Sequence, residues 1–111
     1  MRLIEQIKQT YNLAAYLAPR TQGLKPSGRD FYLGVCPFCT DRQNGQKPKR
    51  KLWVNTRSNT CGCFKPSCRA FCNQAIDHNA KPLDIINVYA MLEGVSLPEA
   101  VYHLAKKAGL I

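Results

Sequence analysis

The sequence predicts an α+β fold, a small β-sheet flanked by N- and C-terminal helices. Three observations carry this: apolar residues recur at helical spacing at both ends, they alternate in the middle third, and the cysteines are confined to that middle third. At 111 residues the chain has room for one modest core and is read as a single domain.

The elements follow in order. Ile4, Ile7 and Tyr11 fall at three- and four-residue steps, which places them on one helical face. Asn12 is an N-cap for a second short helical turn over Leu13–Leu17, and Pro19 closes the region. From residue 21 the character changes. Gly23, Pro26 and Gly28 punctuate the chain, residues 29–35 alternate as a strand, and that strand runs into Cys36. Residues 41–49 read as a polar loop with Gly and Pro. Residues 51–55 and 59–64 are two further strands with a turn between them. In the last third Pro82 suits a first helical position and Gly94 a helix end. Leu83, Ile86, Tyr89 and Ala90 form one apolar face and Ile85, Val88 and Leu92 another, so this helix is expected to be buried on more than one side. Ser96 and Glu99 form a capping box for a final helix ending near Lys107, with Gly109 beyond it.

Composition bounds the function. Apolar runs such as residues 85–92 are broken well short of the ~20 residues that cross a bilayer. The first twelve residues lack the apolar stretch of a signal peptide, so a cytoplasmic location and no membrane partner are expected. A reducing compartment turns six cysteines from disulfide candidates into metal ligands. The net charge of +9 is concentrated: residues 42–69 hold eight basic side chains and no acidic one. Such a field attracts a polyanion, nucleic acid or an anionic membrane surface, although a solvated basic loop has the same composition. Nucleotidyl transfer needs clustered carboxylates for two metal ions, and the seven acids here are scattered. The chain is therefore not expected to be an enzyme by itself.

The metal ligands are the most legible chemistry. Cys36 and Cys39, two residues apart around Pro-Phe, let one tight turn aim two thiolates at one ion. The other pair comes from Cys61, Cys63, Cys68 and Cys72. Cys63 and Cys68 are favoured, because the Phe-Lys-Pro-Ser between them forms the turn a second knuckle needs. Cys72 is the rival for the fourth position. Cys61 and Cys63 would share a strand face, an uncommon chelate, and His78 and His103 are weaker alternatives. Four thiolates point to a single structural Zn2+ rather than an iron–sulfur cluster, whose common spacings are absent. Metal binding would supply folding free energy that so short a meander lacks.

Together these features resemble the zinc-binding domain of DnaG-type bacterial DNA primases and of phage and plasmid primase–helicases. The residues that carry the resemblance are Gly28 through Cys39, the strand from Leu52 to Val54, the Cys63-Phe64 pair, and a helical tail with Pro98-Glu99-Ala100 and Leu104-Ala105. The sequence departs from the family in Cys39, where His is usual, in the longer spacing from Cys63 to Cys68, and in residues 69–81, where a Gly-rich stretch normally follows.

The resemblance implies a zinc ribbon over residues 21–75, with an antiparallel sheet, preceded by a helical segment 1–20 and followed by a helical pair 82–108. It implies a module that reads single-stranded template DNA in support of primer synthesis. Its partners would be a primase catalytic domain or subunit and a replicative helicase. Lys25, Arg29, Tyr32, Trp53 and Arg57 match or adjoin the DNA face, and Lys49, Arg50 and Lys51 are expected phosphate contacts, as is Lys47. Phe31 and Phe38 are expected to be core or knuckle packing, and Trp53 fits either a mid-strand core position or base stacking. The alternative is a zinc-ribbon adaptor that docks a protein partner or RNA.

Overall fold

A computed structural model describes residues 2–38 and 50–111. Helix α1 (Leu3–Thr10) and helix α2 (Leu13–Leu17) lead through a 3-10 turn (Ala18–Arg20) into strands β1 (Lys25–Pro26), β2 (Phe31–Gly34), β3 (Leu52–Asn55) and β4 (Thr60–Cys63). Helices α3 (Ile85–Glu93) and α4 (Leu97–Lys107) complete the chain. The strands form one antiparallel meander in the order β1-β2-β3-β4.

Register sorts the side chains between two faces, because residues directly opposite each other in an antiparallel pair share a face. Tyr32 pairs with Val54, Val54 with Cys61, and Leu52 with Cys63, and these point into the core. There they join Ile7, Leu13 and Leu17 of the N-terminal helices and Ile85, Val88 and Leu104 of the C-terminal pair. Leu33 pairs with Trp53 and Trp53 with Gly62, and these lie on the opposite face. The outer edge of β4 is covered as well. Cys63 N–H donates to the Ala70 carbonyl, Cys72 N–H donates to the Cys63 carbonyl, and Cys61 exchanges backbone hydrogen bonds with Leu83. The sheet therefore leaves no bare edge on this side for another chain to pair with.

Four details depart from expectation. β1 is a short edge strand with no alternation to reveal it. The stripe that packs α1 on the core runs through Leu3, Ile7 and Tyr11, whereas Ile4 is exposed. Helix α3 begins at Ile85 rather than at Pro82, because Leu83 is drawn into pairing with Cys61. Asp84 then becomes the N-cap, and its carboxylate and the Asn87 side chain satisfy each other's backbone N–H groups at 2.8 and 3.1 Å. Asp84 also takes the Lys8 ammonium at 3.2 Å, which ties α1 to the start of α3. Finally, Asn59 holds φ 58° at the β3–β4 hairpin and clamps the turn between α1 and α2. Its Oδ1 accepts from Leu13 N–H, and its amide donates to the Lys8 and Tyr11 carbonyls. The expected Ser96–Glu99 capping box and the Gly94 left-handed cap are both in place.

Candidate metal centre

Three cysteines converge at one end of the sheet. Cys36 follows β2, Cys63 ends β4 and Cys68 lies in the loop after it, and their Sγ atoms all lie within 4.8 Å of one another. All three are buried, at 5, 0 and 8% exposure. The Sγ atoms of Cys36 and Cys68 are 3.8 Å apart, and four thiolates about 2.3 Å from a tetrahedral ion would be about 3.8 Å apart. Three thiols so placed could hold a soft divalent metal ion. The turn after β4 also supplies backbone dipoles: Lys65 N–H points at Cys63 Sγ and Ala70 N–H at Cys68 Sγ, each at 3.4 Å. Both contacts favour a sulfur that carries negative charge. Phe38 is buried, and the Arg69 guanidinium lies 6.0 Å from its ring centroid. Cys39, the expected partner of Cys36, lies outside the described residues, as do Lys47 and Lys49.

The rivals are placed elsewhere. Cys72 lies on the opposite face of the sheet, where its Cβ is 2.8 Å from the position a Cβ on Gly62 would take. Burial is the first cause raising its thiol pKa, and the nearby Asp77 is the second. Cys61 is two residues before Cys63 on the core face, fully buried. Burial pushes its thiol up to about 12, with Asp84 and Cys72 adding to the effect. Both behave as small apolar residues. His78 is exposed, and His103 packs edge-on against the Tyr89 ring.

The expected nucleic-acid residues divide between the two faces. Lys25 opposes Leu33 and so lies on the face of Trp53. Arg29 and Arg57 are exposed, before β2 and in the β3–β4 turn. Lys51 continues the register opposite Phe64, whose N–H donates to its carbonyl. Tyr32 is on the other side, half-buried against the core beside Val54, because register places it there. Arg50 is held by the fold: one guanidinium nitrogen donates to the Gly23 and Leu33 carbonyls at 2.7 and 2.8 Å.

Trp53 does not offer an open ring. It is 6% exposed, its indole N–H donates to the Cys72 carbonyl at 2.9 Å, and residues 73–75 line the same pocket beside it. The exposed aromatics of this face are its neighbours Phe31 and Phe64, at 42 and 43% exposure, with ring centroids 6.5 and 6.4 Å from Trp53. The sequence reading puts Phe31 in core or knuckle packing. As the first residue of β2, opposite Asn55, it takes the outer face instead. Phe64 carried no signal beyond its place after Cys63, since one residue past a strand end has no periodicity to orient it.

No protein-family model matches the sequence, and no curated protein matches it. Among solved structures, the chain superposes on the crystal structure of the Aquifex aeolicus primase, which comprises its zinc-binding and RNA polymerase domains, with a TM-score of 0.69 at 19% identity. The match covers 98% of this chain and 22% of that one. The chain therefore has the fold of a primase zinc-binding domain, an α+β architecture with an antiparallel sheet, and it holds a thiol cluster able to bind a metal ion. Among the described residues, no helix is long and apolar enough to cross a membrane.

Proposed function

We propose that this chain is a zinc-dependent single-stranded DNA recognition module that supports primer synthesis as an accessory part of a primase. Zn2+ would be held by Cys36, Cys63, Cys68 and Cys39, and when bound it would cross-link the end of β2 to the loop after β4. The observation that carries the reading is the convergence of three buried thiols in a primase-like fold whose sheet bears cations on its outward face. Lys25 and Lys51 of that face and Arg57 of the β3–β4 turn form no ion pair among the described residues, so they are available to phosphates. Catalysis would belong to a separate primase domain or subunit working in the cytoplasm, with a replicative helicase as a further partner.

Fluorescence anisotropy of the zinc-loaded protein with a labelled single-stranded 12-mer tests this. The affinity should fall with salt, with log K against log salt sloping by about −0.7 for each phosphate contacted. Lys25→Ala and Arg57→Ala should each flatten that slope while zinc content holds. Absence of binding at low salt, or equal binding by the metal-free chain, would contradict the proposal.

A further inference from the structure

A pocket of about 420 Å3 opens on the outward face of the sheet. This lies within the range of about 300–1,000 Å3 typical of small-ligand sites. Its apolar walls include Phe31, Trp53 and Phe64, and its far rim is built by residues 73–75 and Pro82. Trp53 is fixed in place by the Cys72 carbonyl and by Gly62, beneath its ring. The wall is thus rigid, while Phe31 and Phe64 stand exposed on either side of it.

The polar lining has a definite sign. Asn55 Oδ1 is occupied by the Arg57 and Ser58 N–H groups, and Asn73 Oδ1 by Ala75 N–H. Each leaves its amide NH2 without a partner among the described residues. Gln74 is held the other way, its NH2 donating to the Ala80 carbonyl at 3.1 Å, which leaves its carbonyl oxygen to accept. The amides of the pocket thus offer two donor groups and one acceptor beside stacking surfaces, while the Ser58 and Thr60 hydroxyls, also in the lining, bond each other at 2.6 Å. A pyrimidine has the complementary edge, two acceptors and one donor: O2, N3 and the amino group of cytosine, or O2, O4 and N3–H of thymine. Guanine presents the reverse, two donors and one acceptor. Unpaired bases are recognised by this combination of aromatic stacking and hydrogen bonds to the Watson–Crick edge. Lys25 and Lys51 share this face of the sheet and suit the phosphates of a strand lying across it.

We infer that this pocket accepts a single unpaired pyrimidine base of the bound strand. The inference rests on the single-stranded DNA reading and adds to it a place where sequence is read. Trp53 is the only tryptophan in the chain, so its fluorescence reports directly on the pocket. The probes are abasic single-stranded 8-mers that carry one central base, or none, titrated into the zinc-loaded protein. The thymine and cytosine probes should quench Trp53 and bind at least about tenfold more tightly than the wholly abasic strand, as expected for one stacked base. Guanine should gain little.

Phe31→Ala should remove most of that gain, and Asn73→Ala should narrow the gap between thymine and guanine, each at unchanged zinc content and unchanged binding of the abasic strand. Two variants from different elements guard against one that fails to fold. If the abasic strand binds as tightly as the thymine probe, or guanine as tightly as thymine, the pocket assignment is wrong although DNA binding stands. If no probe binds at low salt, the DNA reading falls and the pocket with it.

Discussion

At the scale of single residues, two positions explain much of the local geometry. Asn59 sits in the left-handed region at φ 58° and spends its whole side chain on α1 and α2, far away in sequence. Replacing it with Ala removes three hydrogen bonds and leaves the Leu13 N–H without its partner. Urea denaturation of Asn59→Ala should show a loss of about 2–3 kcal/mol. Gly62 matters for the opposite reason. A Cβ there would come within 2.7 Å of the Trp53 ring and 2.8 Å of the Cys72 side chain, and neither can yield without shifting residues 70–75. Gly62→Ala should therefore cost about 1–3 kcal/mol, as overpacking does, and should move the Trp53 emission maximum to the red as the ring gains water. Neither role is legible in the sequence. A lone Asn or Gly in a strand-like run states neither its φ nor what approaches it from elsewhere in the chain.

At the scale of elements, the helices were readable because their signals are local. The Asn12 cap, the Ser96–Glu99 box and the Gly94 stop each depend on residues a few positions apart. The start of α3 shows the same logic reversed. Pro82 is a valid local start signal, but Leu83 pairs with Cys61 across the sheet, and only Asp84 remains to cap the helix. The sheet has a further dependence. β2, β3 and β4 are four residues each, and the cysteine cluster joins the end of β2 to the end of β4 and its following loop. Removal of the metal by a chelator should melt the sheet while α3 and α4, which pack on each other, retain part of their structure. Circular dichroism should show strand signal lost with helical signal partly retained. A chelated protein that keeps its Trp53 environment and its full thermal stability would show that the sheet stands without metal.

At the scale of the whole molecule, the sequence predicts the metal chemistry and the basic character, and the fold decides which face each residue takes. Cys63 and Cys68 meet Cys36 because the meander brings the ends of β2 and β4 together, whereas one-residue alternation turns Cys72 to the far side of the sheet. That same alternation takes Tyr32 from the expected DNA face and adds Phe31 to it. The account stands or falls on the ligand set. Metal content per chain, measured by native mass spectrometry on the purified protein and its single-cysteine variants, tests it most directly. The predicted result is one zinc per chain, lost in the Cys→Ser variants at positions 36, 39, 63 and 68 and kept in Cys61→Ala and Cys72→Ala. Zinc retained by Cys68→Ser, or lost from Cys72→Ala while the sheet stays folded, would contradict it.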